Sequence, residues 1–309
     1  MDLKNLSEKV GISSGDLFLI LENIKREGRI STHDLIGKTG FSKETLKKFR
    51  DNFSSYLEPV SNFFILNDNG KKFLSSLTFN KKAFEASDEL LIHSLYKECA
   101  TSRPKPKREY DQFYSTEDTQ VKRIKFLMEN EAYEDASILF LGDDDLTSLC
   151  LLEIGAFKNV AVCDIDPSQL SFIESVAKKK SFDIQLYYAD LREGLPKDLI
   201  ESYDVVFSDP PYTPSGFKLF LSRELEALWG SFGKAYICFG SSERSLERFL
   251  LVQSIINEFN LAIIYALFNF NRYESALSIG SSSNLYTLMK TPKTKVSKKL
   301  DVSKIYTYE

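Results

Sequence analysis

Residues 205–213 read Val-Val-Phe-Ser-Asp-Pro-Pro-Tyr-Thr. A mostly apolar run, 203–207, ends here in a carboxylate, two prolines and a tyrosine. Buried strands end this way where the next residues must face a ligand at the carboxyl edge of a sheet. Pro210 and Pro211 fix φ and disfavour a helix, so Asp209 and Tyr212 ride on a stiff loop. Such a loop suits a site that presents a polar group to a nitrogen nucleophile.

The pattern on either side of this stretch alternates. Strands are expected at 136–141, 160–163, 184–188, 205–207 and 234–239. Helices are expected at 146–154, 168–179, 217–229 and 246–259, with another at 116–129 ahead of the first strand. Strands separated by helices of this length imply a parallel sheet with right-handed crossovers, an α/β fold. Two further apolar runs, 261–268 and 285–289, lack a crossover helix and suit an antiparallel pair. The arrangement resembles the Rossmann-like fold of S-adenosylmethionine-dependent transferases.

Strand ends carry the expected site. The first gives Gly142-Asp143-Asp144-Asp145-Leu146-Thr147-Ser148. Folds of this class usually place a glycine-rich loop there, so that backbone approaches the cofactor. Three consecutive carboxylates would repel the carboxylate of S-adenosylmethionine. They would welcome a ligand that keeps the ammonium and lacks that group, as decarboxylated S-adenosylmethionine does. One such contact is worth about 1 kcal/mol at ~4 Å in water and several times more when desolvated. The plainer alternative is an acidic helix cap formed by Asp144 or Asp145. Asp164 follows the second strand and is the first choice for ribose hydroxyls. Asp166 is the second choice, since Asp166-Pro167 also suits a helix start. Asp190, after the third strand, is placed to accept from an adenine amino group.

Residues 1–80 suggest a small N-terminal domain. Two short helices are expected within 4–29, with Leu17, Ile20, Leu21 and Ile24 on one apolar face. A helix over 31–38, a turn at 39–41 and a helix capped by Ser42 follow. Extended pieces at 56–60 and 63–67, and a turn at Asn69-Gly70, complete a winged-helix-like pattern. Lys43, Lys47, Lys48 and Arg50 on its second helix are candidates for phosphate contact. The plainer alternative is solvated charges on an interaction unit, with a homodimer as one expected assembly. Residues 81–110 read as a helix over 84–99 and a Pro/basic segment, 102–108, that is a linker or an extended entry to the second domain. The catalytic domain is expected over 111–290, with a basic, disordered tail over 291–309 that could instead close over the site.

Composition narrows the classes. No apolar run reaches membrane-spanning length and no secretory pattern opens the sequence, so a cytoplasmic protein is expected. Cys99, Cys150, Cys163 and Cys238 are scattered, which argues against disulfides and zinc, and no metal is expected. His33 and His93 lie away from the motifs. The 309 residues carry a net charge of −4. Residues 1–80 contribute +2 and 290–309 contribute +4, so the middle carries −10. An acidic central domain attracts cations and repels phosphate backbones, so nucleic acid is not the expected partner.

The stretch from Gly142 to Ser148, the run from Asp209 to Thr213 and the lead-in from Arg103 to Phe113 together resemble the branched-chain polyamine synthases. These are also called N4-bis(aminopropyl)spermidine synthases. The resemblance covers roughly 100–290. It implies aminopropyl transfer from decarboxylated S-adenosylmethionine, a co-substrate, to the internal amine of spermidine, with release of methylthioadenosine. In this reading Asp209 takes the proton of the attacking amine or orients its lone pair, and Tyr212 stacks on or hydrogen-bonds to the charged amine or sulfonium. Asp144 joins them as a catalytic residue. Gly142, Asp143, Asp145, Asp164, Asp166, Asp190 and Pro210 hold the donor. Asp111, Gln112, Pro211 and Thr213 line the polyamine side. Two other readings stay open. One is an adenine-amino methyltransferase on nucleic acid, a class that also uses Asp-Pro-Pro-Tyr. The other is a ligand-sensing, DNA-binding regulator without enzyme activity.

Overall fold

The computed structural model describes residues 3–77, 83–131, 136–157, 159–240, 246–274, 281–296 and 300–307. The chain divides into two compact units, Met1–Lys81 and Lys82–Glu309.

The first unit runs α1 (Leu3–Val10), α2 (Ser14–Glu27), β1 (Arg29–Ser31), α3 (Thr32–Thr39), α4 (Lys43–Phe53), β2 (Phe63–Ile65) and α5 (Asp68–Ser75). Ser13, Ser31, Ser42 and Asn67 each accept a backbone N–H at a helix start, which fixes four of these boundaries. Leu17, Ile20, Leu21 and Ile24 are fully buried, as their spacing predicts. The strand pair differs from expectation. β2 pairs with β1 over Arg29↔Ile65 to Ser31↔Phe63, while residues 56–60 contribute only the single bridge Leu57↔Leu66. Asn69-Gly70 is not a turn. It lies inside α5, because the Asn67 side chain accepts from the Gly70 N–H and starts a helix there.

Arg50 also departs from its expected role. Its Nη1 donates to the carbonyls of Val60 (2.7 Å) and Phe63 (3.0 Å), and its guanidinium lies 4.0 Å from the Phe64 ring centroid. It holds the loop into β2 through Nη1, while Nη2 is buried with no hydrogen-bond partner among the described residues.

The second unit begins with α6 (Ala86–Ala100) and α7 (Glu117–Glu131). Then follow β3 (Ser137–Leu141), α8 (Thr147–Glu153), β4 (Asn159–Asp164), α9 (Pro167–Lys180), β5 (Gln185–Tyr188) and β6 (Val205–Ser208). The remainder is α10 (Pro214–Ala227), β7 (Lys234–Phe239), α11 (Leu246–Glu258), β8 (Ala262–Arg272) and β9 (Ser282–Met289). The sheet order is β5-β4-β3-β6-β7-β9-β8. β3 to β7 are parallel, and β9 and β8 are antiparallel additions, as the missing crossover helix predicts.

β3 is buried on both faces. Ile138 and Phe140 join the core beneath α6, α7, α8 and α9, whereas Leu139 and Leu141 join the core beneath α10 and α11. A continuous apolar run is what a central parallel strand between two helical layers requires. The chain reverses direction across the sheet at β3, so a crevice opens between the carboxyl ends of β3 and β6.

Residues 102–108 belong to the second unit, in keeping with the extended-entry alternative. Residues 300–307 also pack: Ile305 and Tyr306 are 2% and 8% exposed. The basic composition of 291–309 suggested disorder, but two large apolar side chains outweigh it by leaving water. Residues 297–299 and 308–309 of that segment lie outside the described residues.

Candidate active site

Register brings the acidic strand ends together. Leu141 pairs with Ser208 on one side and with Cys163 on the other. The residues just past these pairs are Gly142, Asp209 and Asp164. Gly142 adopts φ 73°, a left-handed conformation that glycine takes without strain, and its N–H donates to the Cys163 carbonyl. The loop thereby turns along the crevice.

A cavity occupies this edge. Five carboxylates, Asp111, Asp144, Asp164, Asp190 and Asp209, line it, and no lysine or arginine does so among the described residues. Gln112, Gly142 and Pro211 also line it, with Tyr110, Ile305 and Tyr306 supplying apolar wall.

The aspartate triplet splits into three roles. Asp143 is buried and caps α8, accepting from the Thr147 N–H (2.8 Å), the Ser148 N–H (3.2 Å) and the Ser148 hydroxyl (2.5 Å). Burial nonetheless raises its carboxyl to about 7. Asp145 is buried too and accepts from Arg123 Nη1 (2.6 Å) and the Ser115 N–H (2.6 Å). Neither lines the cavity. The expected cap therefore exists, but Asp143 forms it, not Asp144 or Asp145. Of the three, Asp144 alone lines the cavity, and its carbonyl accepts from Arg103 Nη2 at 3.0 Å. Burial pushes the Asp144 carboxyl well up, Asp145, Asp209 and Asp164 reinforce this, and Arg103 opposes it.

The second strand end sorts its two acids. Asp164 faces the cavity and accepts from the N–H groups of Asp166 (2.8 Å) and Asp143 (3.2 Å). Burial raises it to about 6. Asp166 is fully buried, caps α9 and accepts from Lys107 Nζ at 2.7 Å and Gln112 Nε2 at 3.3 Å. Burial works against its charge, yet these bonds hold it below the usual carboxylate range. Asp166 is thus engaged in the α9 cap and the Lys107 pair, while Asp164 lines the cavity. Asp190 lines the cavity while Arg192 Nε and Nη2 donate to it at 2.7–3.0 Å.

The Asp-Pro-Pro-Tyr loop is tightly wired. Asp209 Oδ2 accepts from Arg123 Nη2 (2.6 Å) and the Tyr273 hydroxyl (2.6 Å), and Oδ1 accepts from the Tyr212 hydroxyl (2.9 Å). Burial raises the Asp209 carboxyl, and Arg123 opposes that. Three donors aimed at two oxygens keep it an anion. Tyr212 and Pro210 are not among the residues that line the cavity, and the Tyr212 hydroxyl braces Asp209. Thr213 caps α10 through the Gly216 N–H (2.9 Å) and donates to the Ile305 carbonyl (2.7 Å). It too lies outside the cavity lining. Asp111 accepts from the N–H (2.7 Å) and the hydroxyl of Thr307.

Arg123, Tyr273 and Asn271 escaped the sequence reading. A signal existed for Arg123. The buried stripe of α7 runs Arg123, Ile124, Leu127, Met128 and Glu131, and a charge on an apolar face demands a buried partner. Tyr273 and Asn271 follow an apolar run on an antiparallel addition and carry no local cue. Among the described residues no group of side chains could hold a metal ion, and no helix is long and apolar enough to cross a membrane.

Residues 91–308 match the family of the branched-chain polyamine synthase A C-terminal domain. The chain is 33% identical over 325 residues to an uncharacterized protein of Methanocaldococcus jannaschii, covering 99% of this chain and 81% of that one. It is 35% identical over 180 residues to the N(4)-bis(aminopropyl)spermidine synthase of the same organism, covering 58% of this chain and 51% of the synthase. That alignment spans about half the synthase's length. In fold, the chain is similar to the crystal structure of the branched-chain polyamine synthase from Thermus thermophilus in complex with N4-aminopropylspermidine and 5'-methylthioadenosine. The TM-score is 0.64 at 20% identity, over 98% of this chain and 96% of that one. The sheet is thus the Rossmann-like sheet of this class, and the chain belongs to the branched-chain polyamine synthase family.

Proposed function

We propose that this protein transfers the aminopropyl group of decarboxylated S-adenosylmethionine to an internal amine of a polyamine, spermidine by the chemistry named for its relatives. The observation that carries this reading is a cavity at the carboxyl edge of the sheet that five aspartates line and, among the described residues, no lysine or arginine does. The donor brings a sulfonium and an ammonium, and the acceptor brings several ammonium groups. A carboxylate-bearing donor would meet only like charge there, at a cost of about 1 kcal/mol or more per contact.

The amine nitrogen attacks the methylene carbon next to sulfur. The new C–N bond forms as the C–S bond breaks, and its electron pair stays on sulfur as methylthioadenosine. The acceptor amine is protonated at neutral pH, near the lysine value of about 10, so one proton must leave first. Asp144 takes it. It lines the cavity and burial raises its affinity for a proton. Asp209 is a poor acceptor by comparison, because its oxygens already receive Arg123, Tyr212 and Tyr273. It supplies fixed negative charge beside the reacting atoms. Asp164 receives the ribose hydroxyls, and Ile305 and Tyr306 exclude water from the aliphatic stretches of the polyamine.

The test is incubation with decarboxylated S-adenosylmethionine and spermidine, with products read by mass spectrometry. N4-aminopropylated spermidine and methylthioadenosine in equal amounts are expected. Methyl transfer from S-adenosylmethionine to nucleic acid, with no aminopropylated product, overturns the reading.

A further inference from the structure

We propose that Arg123 is the positioning residue that selects the proton acceptor: by binding Asp145 and Asp209 together it engages both and leaves Asp144 as the carboxyl open to the substrate amine. The inference rests on the aminopropyl-transfer reading above.

Arg123 is among the largest fully buried side chains of the described residues. Its three nitrogens serve three directions. Nη1 meets Asp145 at 2.6 Å, Nη2 meets Asp209 at 2.6 Å, and Nε donates to Asn271 Oδ1 at 2.8 Å. A planar guanidinium fork can do this, and an ammonium cannot. The acids come from the ends of β3 and β6 and the amide from β8, so one side chain joins three strands.

The charge count explains why this matters. Asp144, Asp145 and Asp209 are three neighbouring carboxylates with one cation buried between two of them. Other ionisable groups face the cluster. Tyr212, Tyr273 and Cys238 are pushed up by burial and remain neutral, Asp164 adds an acid, and Arg103 reaches the Asp144 carbonyl. Asp145 and Asp209 are saturated with donors that only an anion accepts well. Among the described residues no donor meets the Asp144 carboxylate. A proton arriving at the cluster therefore goes to Asp144. Without Arg123, Asp209 would lose its cation beside Asp144, and the two would compete for the proton as a coupled pair.

The experiment compares wild type with Arg123→Met and Arg123→Lys. Two readouts are taken: the pH profile of kcat/KM for aminopropyl transfer, and carboxyl titration by NMR with aspartate-selective carbon labelling. In Arg123→Met the acid limb is expected to move up by about one pH unit or more. One more aspartate carboxyl should then titrate near neutrality. Binding of 5'-methylthioadenosine should stay within about threefold, since Arg123 does not line the cavity. Arg123→Lys can satisfy only one acid, so it moves the limb the same way by less and lowers kcat. If Arg123→Met does not fold, the lysine variant carries the test. An unmoved limb with unmoved carboxyl titrations, in whichever variant folds, overturns the proposal and leaves Arg123 a packing element. A wild type that makes no aminopropylated product defeats the functional reading instead. The carboxyl titration needs no turnover and still decides whether Arg123 partitions the charge.

Discussion

The Thr213 hydroxyl donates to the Ile305 carbonyl at 2.7 Å, tying the cap of α10 to residues that wall the cavity. The same hydroxyl oxygen accepts the Gly216 N–H. A Cβ on Gly216 would sit 2.8 Å from the Ile305 carbonyl oxygen and 2.9 Å from that of Pro211, so this close approach needs glycine. Thr213→Val should cost about 1–2 kcal/mol through the lost cap, seen in denaturant unfolding. It should also raise KM for the polyamine more than for the donor. Equal changes in both constants would detach residues 300–307 from the acceptor side.

Asp144→Asn removes the proton acceptor while keeping the shape of the loop. kcat should fall by about 10²–10⁴, with methylthioadenosine affinity within about threefold. Turnover close to wild type would return Asp144 to a binding role.

Asp209→Asn should behave differently. It leaves the Arg123 guanidinium paired on one side only and misdirects Tyr273. Breaking a buried pair costs about 3–5 kcal/mol, so unfolding should reveal a large loss that Asp144→Asn lacks. Comparable stability in the two variants would contradict the division of roles.

Asp164 gives a pH signature with opposite signs for binding and folding. Its carboxyl lies at about 6 in the folded chain, against about 4 unfolded. Donor affinity, measured by calorimetric titration, should weaken as pH drops through 6. Folding behaves the other way, because the raised group holds its proton more tightly when folded. Its contribution is fully present below about pH 4 and lost as pH rises through 6, on the order of 2 kcal/mol. Thermal unfolding of wild type and Asp164→Asn, without ligand, measures it.

Arg50→Ala tests the first unit. The carbonyls of Val60 and Phe63 lose their donor, so stability should drop by about 1–3 kcal/mol. Any affinity for DNA measured before and after, at fixed salt, should change no more than for Lys47→Ala. A selective loss of affinity would restore Arg50 as a phosphate contact.

The fold was legible because its signals are local and repeated. Each parallel strand is an apolar run, and each helix after it has the right length and period. The acids at strand ends were legible because a run such as Gly142 to Ser148 stands out from its surroundings. Which acid faces the cavity was not. Asp143, Asp144 and Asp145 are chemically identical, and only the left-handed turn at Leu146 and the position of Arg123 assign them to cap, cavity and ion pair. The ordering of 300–307 was hidden for a related reason. Ile305 and Tyr306 acquire value only when Thr213 and Asp111, far back in sequence, are already in place.

Contacts of this reach bear on how the working protein comes into being. Arg123 finds Asn271 across 148 positions, and Asp111 finds Thr307 across 196. Loop closure of that size is paid before any reward arrives, so such pairings form late and slowly. A nascent chain could complete its first five parallel strands and still lack the amide, the phenol and the apolar wall supplied by later residues. Turnover would then report that the whole second unit has assembled, and a fragment ending before β8 would be folded in part yet chemically silent.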